Sequence, residues 1–464
     1  MEKEYQKNKK IDTDQSREND LGTKPVGKLL FSLALPAITA QIVNVLYNMV
    51  DRIYIGHIPV IGAQALTGVG VTMPIIMLIS AFAALVSMGG APRASIMMGK
   101  GQKATAQQIL GNCMTALIIA AAILTAVVLL FGRDLLLMFG ASENTIEYAW
   151  AYMAVYAWGT VFVQISLGMN AFITAQGFSK ISMLTVVIGA VCNIILDPIF
   201  IFGLNLGVRG AALATIISQA VSAVWVIRFL TGKKTYLRIC PENLWIKPKV
   251  FFPCMALGLS PFIMQSTESI LFVCFNSSLL KYGGDMAVGA MTILTSIMQF
   301  AMLPLQGLTQ GAQPITSFNY GAQNKERVKK CFYLLLRSSL IYSGALWILV
   351  LLFPNVFAGI FATDAELVAT TVHAMRIYMA ASLILGVQIA CQQTFISMGN
   401  AKTSVFLALL RKVILLIPLI YILPQLLSNK VDAVFMAEPV ADIIAVSVTA
   451  TLFFRSFRKY LYTS

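Results

Sequence analysis

Charged side chains make up only 12% of this 464-residue sequence, about half the share that a water-facing globular surface carries. That shortage excludes a soluble domain. The net charge of +14 does not rescue a nucleic-acid reading, because the basic residues are scattered in short segments between apolar runs instead of forming one solvated patch. Histidine is nearly missing: His57 and His373 lie in a turn and near a helix end, with no paired motif. An intramembrane hydrolase or transferase, which needs a nucleophile with a base, therefore has no support. The seven cysteines (Cys113, Cys192, Cys240, Cys254, Cys274, Cys331 and Cys391) show no metal-site spacing with histidine. They fall in apolar runs or on the basic side of the chain, where free thiols are expected. No cofactor and no structural metal is expected. Residues 1–25 carry six acidic side chains and lack an apolar core followed by a small-residue cleavage site. They read as a polar cytoplasmic tail, not a cleavable leader.

What fills the sequence instead is hydrophobic, 58% of all residues. Twelve apolar runs are long enough to cross a hydrocarbon core, at roughly 20 residues each. They lie near 28–53, 63–92, 104–131, 145–176, 180–203 and 209–231, then near 251–280, 285–317, 328–353, 366–397, 403–427 and 433–455. The expectation is an all-α membrane protein. With the N-terminus inside, most of the 34 Lys and Arg fall in alternate connections: the tail, 93–103, Lys180, 233–249, 325–330, Lys402 and the C-terminus. The positive-inside rule is satisfied and both termini are cytoplasmic. Arg411 and Lys412 follow Lys402 by two to three helical turns and read as anchors that snorkel to the cytoplasmic interface. His373 and Arg376 receive no role.

The sequence also repeats itself. A shift of 222 positions aligns 89–103 with 311–325 without a gap, so that Gly89/Gly311, Pro92/Pro314, Ser95/Ser317, Gly99/Gly321 and Lys103/Lys325 coincide. Tyr152-Met153-Ala154 likewise matches Tyr378-Met379-Ala380, and Pro36 and Asp51 are spaced as Pro261 and Asn276 are. The order of the pairs argues for duplication of a six-helix unit. An even number of spans gives both copies the same orientation, related by a pseudo-two-fold axis along the membrane normal, with a pathway between them. The expected organisation is a tail at 1–25, an N-lobe at 26–231, a cytoplasmic linker at 232–250 and a C-lobe at 251–464.

Ionisable groups inside a membrane are costly, which makes each a functional candidate. Asp51, Asp197 and Thr215 all lie about six residues, roughly 9 Å, inside the outer ends of spans 1, 5 and 6. Asn193 is one turn from Asp197 on the same face. Two carboxylates, an amide and a hydroxyl at one depth suit Na⁺, or a proton shared between the acids. Pro198, beside Asp197, is expected to kink span 5 and act as a hinge. Amides form stripes: Gln41, Asn44 and Asn48 on span 1, and Gln299, Gln306, Gln310 and Gln313 on span 8. With Gln265, Glu268 and Asn276 of span 7 and Gln388 and Gln392 of span 10, they are the candidate lining of a substrate cavity. Inter-helix hydrogen bonding is the competing account of the amides. The 22 methionines and 27 phenylalanines suit flat apolar cations, although core packing explains them equally well.

At these residues the chain resembles the multidrug and toxic compound extrusion (MATE) transporters, within them the MepA-like branch. The resemblance runs from about residue 26 to 458. Pro36, Asp51 and Gly56 are similar to the family's first-span motif, Asn193, Asp197 and Pro198 to its fifth-span motif, and Thr215 fits the sixth. It implies an antiporter in which H⁺ or Na⁺ entry, H⁺ by preference, drives efflux of cationic or amphipathic drugs from a bacterial cytoplasmic membrane. It implies a cation site at Asp51, Asn193, Asp197 and Thr215. Span 10 carries no acid, and Glu268 sits one position off the spacing of members with a second acidic site, which places coupling in the N-lobe. A monomer surrounded by lipid is expected. The alternative, a lipid-linked sugar flippase of the same superfamily, calls for cationic residues in the central cavity.

Overall fold

The computed structural model describes residues 20–362 and 364–462. Among them the chain is helical, with no strand. The helices are α1 (Val26–Gly56), α2 (Gly62–Gly99), α3 (Lys103–Met138), α4 (Ile146–Trp158), α5 (Thr160–Ala175), α6 (Ser179–Pro198), α7 (Gly207–Thr231) and α8 (Pro248–Gly321). They continue with α9 (Lys325–Leu352), α10 (Pro354–Gly359), α11 (Ala365–Tyr378), α12 (Leu385–Ser397), α13 (Ala401–Leu409), α14 (Ile417–Leu426) and α15 (Lys430–Tyr462).

Nine of these helical stretches are long and apolar enough to cross a bilayer, and the bent pairs α4/α5 and α11/α12 bring the number to eleven. The 74-residue α8 would be about 110 Å long if straight, several times a hydrocarbon core. Gly284, at φ 64° and ψ −162°, breaks it into two arms, because only glycine adopts that conformation without strain. Twelve spans follow among the described residues, in a multi-pass membrane fold. Two spans read from sequence as continuous are not: α4 and α5 meet at 60° around Gly159, and α11 and α12 at 51°.

Packing divides the molecule at one end and joins it at the other. One buried apolar cluster draws on both halves, holding Leu30, Phe172, Cys254, Phe332, Phe395 and Phe453 together. Two further clusters are separate: one is built only from residues between Ile55 and Ala212, the other only from residues between Leu271 and Ala441. The halves thus share a core where α1 and α8 begin and part where α1 ends.

The joined end is tight because backbones touch. A side-chain carbon on Gly99 would collide with the Phe318 carbonyl, and one on Gly321 with the Ile96 carbonyl. Both contacts obey the 222-residue repeat, as do two hydrogen bonds: Ser95 donates to the Ala175 carbonyl at 3.3 Å and Ser317 to the Ser397 carbonyl at 2.8 Å. Arg327 clamps the same end, donating to the carbonyls of Leu21 and Lys24 at 2.9 and 2.8 Å. Segment 232–247 lies across this end as well, where Thr235 and the Leu237 amide both donate to Gln176 at 2.8 Å.

Candidate functional site

Above the joined end, α1 and α6 pack side by side and bring Asp51 and Asp197 together. Asp197 is fully buried and Asp51 is 8% exposed. Their carboxyl groups lie close enough for each charge to act on the other. Asn193, one turn before Asp197, donates to it at 3.2 Å. Asp51 Oδ1, Asn193 Oδ1 and Asp197 Oδ2 are buried and accept no hydrogen bond among the described residues. Unpartnered buried acceptors are rare because each forfeits its hydration. Here three occur on side chains that adjoin one another, two of them acids, and oxygen atoms of this kind suit a proton or a hard cation. The arginine beside Asp51 in sequence, Arg52, is exposed, and its charge acts on Asp51 with no salt bridge between them among the described residues.

Thr215 is half-buried on α7 and donates to the Ala211 carbonyl at 3.0 Å. It meets the acids through a residue that sequence reasoning missed. Tyr152, buried on α4, reaches Thr215 with its hydroxyl and stands near Asp51. Its stacked neighbour Tyr156 (centroids 6.0 Å apart) and Tyr47, one turn before Asp51, close the surround. The i, i+4 spacing of Tyr47 to Asp51 was a usable signal; the approach of α4 was not, since it depends on the bend at Gly159. At Pro198 the helix passes into a five-residue π-helical turn, Ile199–Gly203. A wide turn, common at functional positions, thus stands where a kink was expected.

The remaining candidates separate by exposure. Gln265, Glu268, Gln299 and Gln306 are exposed, Gln41, Asn44, Asn48, Asn276 and Gln310 are half-buried, and Gln313 is buried. Gln388 and Gln392 are buried as well: Gln388 donates to Gln392 at 3.0 Å, and Gln392 meets the Met264 sulfur at 3.2 Å. Those two join α12 to α8 and do not line open space.

The second half holds a different assembly. Arg411 donates to Asp442 at 2.6 Å and to Glu438 at 3.0 Å, and Lys412 pairs with Glu268. Lys412, Glu438 and Asp442 are each less than a tenth exposed. This corrects the expectation that Arg411 and Lys412 snorkel to the interface. Both lie in a π-helical turn, Leu410–Leu416, between α13 and α14, and turn inward because acids on α8 and α15 await them. Glu438 and Asp442, four residues apart, went unnoticed in the sequence although the rule that selected Asp51 selects them too. His373, left without a role, pairs with Asp432 at 2.9 Å on the surface; Arg376 is exposed. The seven cysteines are free, and among the described residues no group of three or more His, Cys, Asp or Glu is arranged to hold a metal.

A family model, MatE, matches residues 36–199 and again 261–422. The chain belongs to the MatE family. It is a transporter and not an enzyme. Each match opens on one of the repeat-matched prolines, Pro36 and Pro261. A curated relative, "Multidrug export protein MepA" of Staphylococcus haemolyticus, is 24% identical over 92% of this chain and 93% of its own length. Among solved structures, a MATE protein in the bent conformation superposes with a TM-score of 0.89 at 22% identity, covering 97% of this chain and 98% of its own. A MOP superfamily transporter from Pyrococcus furiosus, described as having a binding pocket of reverse polarity that suggests a different function, superposes at 0.88 with 22% identity, covering 96% and 98%. The MatE fold therefore does not fix the cargo, which has to be argued from the chain's own side chains.

Proposed function

We propose that this MatE-family protein is a multidrug exporter that moves cationic or amphipathic compounds out of a bacterial cell in exchange for a monovalent cation. The observation that carries the reading is the buried set of three unpartnered oxygens on Asp51, Asn193 and Asp197. An empty pair of carboxylates in low dielectric is costly, so the site gains by taking a positive charge. Two acids side by side in low dielectric disfavour holding two negative charges, which a shared proton relieves, and this supports H⁺ as the driving ion. The multidrug export name of the MepA relative agrees with this reading.

The two lobes, 26–231 and 251–464, rock about the shared core at the joined end. With both termini cytoplasmic, that end faces the cytoplasm, and the protein stands open to the outside. The exposed Gln265, Glu268, Gln299 and Gln306 then line the cavity from which cargo leaves. The widened turn after Pro198 gives span 5 a place to change its bend when the neighbouring site loads. A lipid-linked sugar flippase fits less well. The buried Arg411 and Lys412 face three acids, so these two cations are not offered to a pyrophosphate.

Asp51 and Asp197 are tested in proteoliposomes or everted vesicles, with ethidium transport followed under an imposed pH gradient or an imposed Na⁺ gradient, each alone. The wild type concentrates the dye under one of them, and Asp197→Asn abolishes that accumulation while the protein still folds. An Asp197→Asn protein that moves ethidium against its gradient would refute the site. Loading at the site and cargo binding oppose one another by the same factor, measured in either direction.

A further inference from the structure

The five-residue cluster of the second half is one positive charge short. Glu268, Glu438 and Asp442 face only Arg411 and Lys412, with the buried Tyr378 of α11 beside all three acids. The shortfall is not spread evenly. Arg411 satisfies Asp442 and shares itself with Glu438, while Lys412 alone holds Glu268. Glu268 is also the member that meets open space: 58% of its side chain is exposed, against 8% for Lys412. A carboxylate so exposed halfway along an apolar span faces a water-filled cavity, because lipid would not tolerate it. The same arm of α8 meets the other half of the molecule: Phe262, six residues before Glu268, packs edge-on against Phe82 at 5.1 Å, and the Ser269 hydroxyl lies 4.0 Å from the Met77 sulfur. Aromatic and thioether side chains along that arm suit an organic cation better than a hydrated inorganic one.

We propose that Glu268 seats one monovalent organic cation and that Lys412 is its built-in competitor. The incoming cation takes the open side of Glu268, and the released ammonium passes to Glu438, whose charge it already feels. Each acid then has one cation: Glu268 the cargo, Glu438 Lys412, and Asp442 Arg411. No charge is stranded in the membrane, and the buried stem of Lys412 moves only within the π-helical turn that carries it. Lys412 thus sets cargo affinity from behind the site and limits how tightly the cation is held before release. The inference rests on the export reading and specifies where in the second half the cargo docks.

The experiment measures tetraphenylphosphonium binding to the purified full-length protein by titration calorimetry, in the wild type, Lys412→Gln, Lys412→Arg, Glu438→Gln and Glu268→Gln. Removing the competitor makes Lys412→Gln bind about twofold to fivefold tighter, the worth of one partly screened ion pair. Lys412→Arg stays close to the wild type, Glu438→Gln weakens binding because the displaced ammonium has lost its host, and Glu268→Gln weakens it most. Unchanged or weaker binding by Lys412→Gln overturns the competitor role. If that variant does not fold, the decision passes to Glu438→Gln: weaker binding supports the role and unchanged binding overturns it. A wild type that binds no tetraphenylphosphonium sinks the export reading as well, whereas wild-type binding that ignores Lys412 and Glu438 sinks this inference alone.

Discussion

The two halves of this protein place charge in the membrane in opposite ways on nearly the same scaffold. In the first, Asp51 and Asp197 adjoin an amide and two tyrosines, Tyr47 and Tyr152, and among the described residues no salt bridge holds either acid, the nearest basic charge being the exposed Arg52 next to Asp51 in sequence. In the second, three acids meet Arg411 and Lys412. The supporting geometry is shared: each half breaks a helix, α4/α5 at 60° and α11/α12 at 51°, and each break follows a repeat-matched tyrosine, Tyr152 or Tyr378, that stands against its half's acids. Duplication supplied the frame and divergence the charge. On the proposed reading the first pair takes its cation from outside, whereas the second, with two cations among three acids, ranks an incoming cation against its own.

The largest test of that contrast is stability. Arg411→Met strands Glu438 and Asp442, both buried, and should cost about 3–5 kcal/mol, the usual penalty for removing one partner of a buried ion pair. Asp197→Asn removes one of two like charges from low dielectric and should leave the detergent melting temperature unchanged or raised. Thermal unfolding of the two variants beside the wild type decides it. A greater loss for Asp197→Asn than for Arg411→Met would erase the distinction between the halves.

Next in size is the contact that joins them. Gly321→Leu drives a side chain into the Ile96 carbonyl at the shared end. Overpacking of this kind costs about 1–3 kcal/mol, here charged to one conformation only, so the balance should shift about tenfold or more toward the opposite opening. Thiol labelling of cysteines placed along 85–99 should rise accordingly, with export falling in step. Gly70→Ala serves as the control, since nothing lies within 4 Å of the added carbon. Equal labelling in both variants would mean that the joined end does not gate.

How far these features could be read from sequence depends on the distance over which they are decided. The twelve spans, the repeat, the shared depth expected of Asp51, Asp197 and Thr215 and the one-turn spacing of Asn193 from Asp197 are local or periodic, and helical rise suffices to argue them. Glu438 and Asp442 were equally legible, an i, i+4 acidic pair in an apolar helix, and were passed over in favour of the amide stripes. The inward turn of Arg411 and Lys412 was not legible. Snorkelling and internal pairing look identical along one helix, and the choice is made by acids 27 to 31 residues away on α15 and 144 away on α8. Nor could the sequence separate Gln388 and Gln392, which bridge helices, from Gln265 and Gln306, which face open space, because helical spacing gives a face without saying what lies opposite.

The smallest expected effect compares the two tyrosines. The buried Tyr152 hydroxyl meets Thr215 and stands near Asp51, and losing one neutral hydrogen bond is worth about 0.5–1.5 kcal/mol. Tyr152→Phe should therefore slow gradient-driven ethidium export by roughly threefold to tenfold, through the driving cation and not through the dye. Tyr378 stands among Glu438, Glu268 and Asp442, which hold Arg411 and Lys412 between them, so Tyr378→Phe should alter the apparent dye affinity by no more than about twofold and leave the dependence on the driving gradient as it was. The separation matters more than either magnitude. If Tyr378→Phe changed the gradient dependence and Tyr152→Phe changed only the affinity, the borrowed cation would enter through the second half, and the assignment of the two clusters would have to be exchanged.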